Sequence, residues 1–217
     1  MTNLDTDQLI DSLAAQYRPV DTAWIERVSG LLILAGFLVS ASLIWLTIGF
    51  RTDLVIALET GRILTKYVFM LASVGLAGRI FVHMARPGYR IQSQARIYGV
   101  PLGFILVAIL IQFQFAGEPT RAMVLGETGN WLACMAIVPV LSVVPMAGLL
   151  AILRRSAPTD LTGAGFAAGM FAATIAALAY AAHCPCDTPV FVGLWYPIAF
   201  LISAGIGAAL APRLARW

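Results

Sequence analysis

The chain has 217 residues, 60% of them hydrophobic and only 12% charged, and its mean hydropathy is +0.86. Soluble domains carry roughly 25% charged residues, so this chain has too little polar surface to cover a core in water, and lipid must solvate most of it. The net charge of +3 and isoelectric point near 9.0 reflect how Lys and Arg are distributed about a membrane, and they imply no direct nucleic-acid partner.

Residues 1–26 read as a polar head, long enough for one helix and a linker. Leu9, Ile10, Leu13, Ala14 and Tyr17 recur at helical spacing and form an apolar stripe. Asp5 with Gln8 three residues later fits a capping-box start, and Asp5, Asp7 and Asp11 crowd the first turns, where the helix dipole favours acids. An acidic amphipathic helix binds an anionic leaflet poorly and suits a protein groove instead, above all a basic one. The expected partner-binding residues are Asp5, Leu9, Ile10, Asp11, Leu13, Ala14 and Tyr17. The competing reading folds the same helix back onto the chain's own basic loop, Arg86 to Arg96.

Residues 27–217 are expected to form a single transmembrane domain. Charge-free intervals run over 28–50, 97–117, 128–153, 161–186 and 188–212. Each reaches the length of about 20 residues that crosses a hydrocarbon layer of roughly 30 Å. A sixth candidate, 64–85, is interrupted by Lys66 and Arg79, both near its ends, where long side chains can snorkel to the interface. Backbone in lipid must satisfy its own hydrogen bonds, so the spans are helices. The expected fold is an all-α polytopic membrane protein with six transmembrane helices. The first apolar run starts late and follows an acidic head, unlike a cleavable signal peptide.

Orientation follows from the basic residues. With the N-terminus inside, Arg18, Arg27, Arg79, Arg86, Arg90, Arg96, Arg154, Arg155, Arg213 and Arg216 are cytoplasmic, and only Arg51, Arg62, Lys66 and Arg121 are outside. The positive-inside rule therefore places both termini in the cytoplasm. Pro139 and Pro145 should kink the fourth span. In the fifth, Gly165-x-x-x-Gly169 suits close packing within the bundle, or self-association into an oligomer.

The chain's chemistry concentrates in "HCPCDTP", residues 183–189, between the last two spans. Cys184 and Cys186 lie in this outer loop, and Cys134 sits about four residues into span four, some 6 Å below the same face. That face is the oxidising one, where disulfides persist. Cys134 could bridge to Cys184 or to Cys186, whereas a Cys-x-Cys ring is strained. His183 beside the thiols would make one of them more reactive. Alternatively, Cys134, His183, Cys184 and Cys186 could ligate a soft metal such as zinc, copper or cadmium. The plainest reading is a tight turn beside a small core cysteine. His83, next to Arg79 and Arg86, reads as an interfacial side chain. Trp131, Tyr180, Trp195 and Tyr196 read as outer-interface anchors, and Trp217 as an inner one.

The stretches "CMAIVPVLSVVPMAGLLAILRRSAPTDLTGAGFAAG" and "AYAAHCPCDTPVFVGLWYP", with the final "PRLARW", resemble the NrsF family, negative regulators of sigma F. The start "DQLIDSLAAQYRPV" fits the family's short N-terminal segment. The resemblance is most specific from Trp131 onward. It implies a six-span bacterial inner-membrane anti-sigma factor, not an enzyme, whose cytoplasmic head sequesters an extracytoplasmic-function sigma factor. Heavy-metal or oxidative stress would be sensed through two cysteines, mapping here to Cys134 and Cys184. Cys186 departs from the family, where an acidic residue is more usual, and so adds a thiol to the loop.

Two other classes compete. A metal-handling transporter would use the Cys/His cluster as an entry site, but the spans lack acidic residues in their middles, which ion pathways usually need. A membrane thiol oxidoreductase would want two thiol pairs, and this chain has three cysteines and no Cys-x-x-Cys.

Overall fold

A computed structural model of the protein describes residues 6–15, 23–53, 57, 61–88, 99–116, 124–125 and 131–215. Seven long helices follow one another in these residues: α1 (Thr6–Ala15), α2 (Ala23–Thr47), α3 (Gly61–Met84), α4 (Gly99–Ala116), α5 (Trp131–Ser156), α6 (Leu161–Tyr180) and α7 (Pro189–Leu214). No strand occurs among the described residues.

Five of these helices, α2, α3, α5, α6 and α7, are long and apolar enough to cross a membrane. The sequence led us to expect six, and the difference lies in α4. It is an uncharged apolar helix of 18 residues, about 27 Å long at 1.5 Å per residue, at the lower edge of what crosses a hydrocarbon layer of roughly 30 Å, and its described apolar part is Gly103–Gln114. The span interrupted by Lys66 and Arg79 does form a long helix, with its apolar part at Ile63–Met84.

The bundle is built around α6, which packs against α7, α5, α3 and α2. Its Gly/Ala composition explains that place: small side chains let four neighbours approach at once. Nearly every residue from Gly163 to Ala177 is buried. A Cβ on Gly165 would strike the Gly207 carbonyl oxygen and the Ala211 methyl, and one on Gly169 would strike the Ser203 carbonyl. The Gly-x-x-x-Gly stretch is thus spent inside this bundle, against α7. Ser142 of α5 and Ser203 of α7 pair by hydroxyls 3.2 Å apart, and Pro145 of α5 packs where Gly36 of α2 leaves room. By contrast α2 buries only Ile25, Ser29, Gly36, Ser40 and Ile44. Its other faces expose Leu31, Leu34, Leu38, Trp45 and Leu46, an apolar exterior that only lipid solvates well.

The contacts define two poles. At one, Arg86 after α3 bonds Glu26 at the start of α2 (2.7 Å), and Gly88 N–H donates to Thr159 Oγ1 in the α5–α6 turn (3.3 Å). The antiparallel α6–α7 contact brings the end of α7 to this pole as well. The bundle's first helix therefore begins, and its last ends, on one face. At the opposite pole the α2–α3 connection meets the α6–α7 loop. The chain leaves α3 at the first pole and enters α5 at the second, and α4, which lies between them in sequence, packs against α3 and α7. Cys134 and the α6–α7 loop share the second pole, where all three thiols were expected.

Trp131 and Trp195 stack with ring centroids 4.9 Å apart, and Trp195 Nε1 donates to the Val124 carbonyl (2.7 Å). Tyr180 and Tyr196, expected as interface anchors, are instead fully buried. Inside the bundle the Tyr180 ring faces that of His183 (5.6 Å) and the Tyr196 ring that of Phe200 (6.4 Å). Trp217 lies outside the described residues, as do Asp5 and Tyr17 of the head. The amphipathic head helix is present as α1, with Ile10 and Asp11 exposed.

Candidate functional site: the thiol pole

The loop between α6 and α7 is tightly determined by its backbone. Past Tyr180 the chain makes one more turn, with the N–H groups of His183 and Cys184 both donating to the Tyr180 carbonyl (3.0 Å each). Thr188 is extended ahead of Pro189, as a residue before proline prefers, and Pro189 opens α7. Across from it α2 ends at Gly49, whose φ of +75° is a conformation glycine adopts at no steric cost. The Gly49 N–H donates back to the Ile44 carbonyl (2.8 Å), and the Gly49 carbonyl faces His183 Nδ1 at 2.7 Å. His183 thus ties the loop to the end of α2, with its ring 5.6 Å from that of Tyr180.

Cys134 and Cys184 are both 0% exposed and Cys186 is half-buried; all three are unbridged. The Cys134 and Cys184 thiols are close enough for their charges to interact. The buried Tyr196 hydroxyl lies near both thiols and has no hydrogen-bond partner among the described residues. The Cys186 thiol donates to Cys184, as does the Cys186 backbone N–H. Among the described residues, no three His, Cys, Asp or Glu side chains cluster to hold a metal ion. Cys184 lies beside both Cys134 and Cys186, and His183 is engaged with α2.

The cation beside the thiols is Lys66. It does not snorkel: its side chain is 0% exposed, and its Nζ donates to the Cys184 carbonyl (2.7 Å) and to Asp187 Oδ1 (3.0 Å). Asp187 in turn accepts from Arg51 (2.6 Å), which also pairs with Asp53 (2.7 Å). Arg51 N–H reaches the Ala182 carbonyl (3.3 Å) as well. One buried ammonium thus joins the second turn of α3 to the cysteine loop, and Arg51 joins the same loop to the end of α2. The sequence does hold a signal for this. Lys66 interrupts an apolar span, Asp187 is the lone charge between the charge-free intervals 161–186 and 188–212, and the topology puts both at one pole.

These charges act on the loop's chemistry. The Cys184 thiol is held below the usual thiol range, first by the Cys186 thiol donating to it and then by the Lys66 ammonium, against the opposing effect of burial. Asp53 is pushed down to about 2 by the Arg51 guanidinium, which is itself held more firmly protonated by Asp53 and Asp187. A lowered thiol pKa means more thiolate, the form that attacks oxidants and binds metals. Replacing Lys66 by methionine removes the nearest positive charge, so the thiolate absorbance of Cys184 should titrate about one pH unit or more higher. The comparison is made in the protein carrying Cys134→Ser and Cys186→Ser, with and without the Lys66 change. An unchanged titration would mean that Lys66 does not tune this thiol.

The architecture is that of a polytopic α-helical membrane protein whose thiols and buried ion pairs meet in one knot at one pole. Residues 13–217 match the family described as NrsF, Negative regulator of sigma F. The chain is 30% identical over 217 residues to the probable anti-sigma-F factor NrsF of Azospira oryzae, covering 99% of this chain and 100% of that one. It is 33% identical over 217 residues to the anti-sigma-F factor NrsF of Caulobacter vibrioides, covering 98% and 99%. The chain belongs to the NrsF family, a family of regulators rather than enzymes. No solved structure matches it.

Proposed function

We propose that this protein is a bacterial inner-membrane anti-sigma factor that holds an extracytoplasmic-function sigma factor by its N-terminal head and releases it when the thiol pole is modified. The carrying observation is the full-length match to relatives named anti-sigma-F factors. The geometry supports the division of labour. The head leads into α2 at the pole where α7 ends, and the cysteines lie at the other pole. With the arginine-rich pole in the cytoplasm, both termini are cytoplasmic and the cysteines face the periplasm.

Two chemistries fit the signal. A thiophilic metal ion such as cadmium, zinc or copper would bind the Cys184 and Cys186 thiolates with loss of their protons, and Cys134 would have to move in to serve as a further ligand. Alternatively, an oxidant such as a peroxide would take two electrons while Cys134 and Cys184 lose two protons and form a disulfide. Either change alters the loop that Lys66 and Arg51 tie to α3 and α2, so the movement reaches the helix that begins beside the head. The coupling needed is typically about 1–3 kcal/mol.

Co-purification of the full-length protein and of a form lacking residues 1–20 with candidate sigma factors tests the binding half. The full chain should retain a sigma factor and the shortened chain should lose it. Equal retention by both would remove the head from the account.

A further inference from the structure

At the pole where the head joins the bundle, a cleft of about 330 Å³ lies between α2, α3 and α6. Its lining holds Arg79, His83 and Arg86, with Glu26 paired to Arg86, and the apolar side chains of Ile33, Val82 and Phe171. Ser29 Oγ and Arg86 Nε line it, buried and without a hydrogen-bond partner among the described residues. A buried donor left unpaired is costly, and two beside one cleft point to a missing acceptor. Gly30 and Gly75, both exposed, border the opening, and a Cβ on either would meet nothing within 4 Å.

We propose that this cleft binds an anionic phospholipid. The phosphate would accept hydrogen bonds from Arg79, Arg86 Nε and Ser29 Oγ, and an acyl chain would lie along Ile33, Val82 and Phe171. The location favours lipid over an acidic peptide, because the lining residues of α2 and α3 belong to helices that cross the membrane and the cleft opens on their exposed faces. On α3 and just past it the lining runs from Val74 out to Arg79, His83 and Arg86, and on α2 from Ile33 out to Glu26, so the charged groups lie toward the pole and the apolar ones deeper, the order of polarity of a lipid leaflet. The inference rests on the chain spanning a membrane and not on its holding a sigma factor.

Native mass spectrometry of the purified full-length protein with phosphatidylglycerol and with phosphatidylcholine tests it. The wild-type protein should favour phosphatidylglycerol, and Arg79→Gln should weaken that preference by about fivefold, the worth of one basic residue near an anionic lipid. Arg79 is exposed, so its loss leaves the packing intact. Gly75→Leu puts a side chain into the opening at a position where a Cβ meets nothing within 4 Å, and it should abolish the retained lipid. Equal retention of the two lipids by the wild type overturns the proposal. So does a preference that survives Gly75→Leu, which would place the lipid elsewhere. Retention that appears only after residues 1–20 are deleted also overturns it, by making the acidic head the occupant.

Discussion

Replacing Asp187 by alanine is expected to destabilise the bundle by about 3–5 kcal/mol, the cost of stranding a buried charge by removing its partner. Lys66 is 0% exposed, and with Asp187 gone its only remaining bond in this knot is to the Cys184 carbonyl. Lys66→Met should cost less, because Asp187 keeps Arg51 at 2.6 Å. In the double variant most of the Asp187→Ala penalty should disappear, since no stranded ammonium remains and Arg51 still has Asp53. Thermal unfolding of the four proteins in detergent checks this order. If Lys66→Met and Asp187→Ala were equally harmful and strictly additive, the Lys66–Asp187 pair would not be the tie between α3 and the cysteine loop.

Gly169→Leu is expected to have the other large effect. A side chain there would have to enter the space held by the Ser203 carbonyl and the Ala204 Cα of α7. Overpacking against side chains typically costs about 1–3 kcal/mol, and here the obstacle is backbone, which cannot change rotamer. The α6–α7 contact would have to open, at about 3 kcal/mol or more. Gly75→Leu is the matched control: it is also a glycine in the middle of a helix, but with nothing within 4 Å of a Cβ. Expression and Tm in detergent should fall sharply for the first and little for the second. Similar losses for both would mean that the effect comes from glycine replacement in general and not from the α6–α7 contact.

The sequence showed most of the fold because lipid imposes a simple requirement, long apolar helices with their charges at the ends. That pattern is plain for α2, α5, α6 and α7. At α4 the charge-free interval yields the uncharged helix Gly99–Ala116, the shortest of those in the bundle, and among the described residues five other helices reach spanning length. Lys66 was legible as a charge near a helix end, but not as a buried one. Its partner is 121 residues away in sequence, and only the folded topology brings them together. Tyr180 and Tyr196 have the composition of interface anchors. Burial of their rings depends on how closely Gly- and Ala-rich α6 draws its neighbours in, a three-dimensional property. The meeting of Cys134 with Cys184 and Cys186 was legible because topology alone put all three at one pole. The role of His183 was not, since its carbonyl partner depends on how α2 ends at Gly49.

Release of the sigma factor from the purified complex is the most direct test of the central claim. The complex, held on a column through the membrane protein, is washed with cadmium ions or with peroxide, and eluted sigma factor is measured for the wild type and for Cys134→Ser and Cys184→Ser. At least one of the two agents should elute the sigma factor from the wild-type complex, and both serine variants should hold or release it regardless of that agent. If the wild type retains its partner under both agents, or the variants respond as the wild type does, the thiol pole is not the switch.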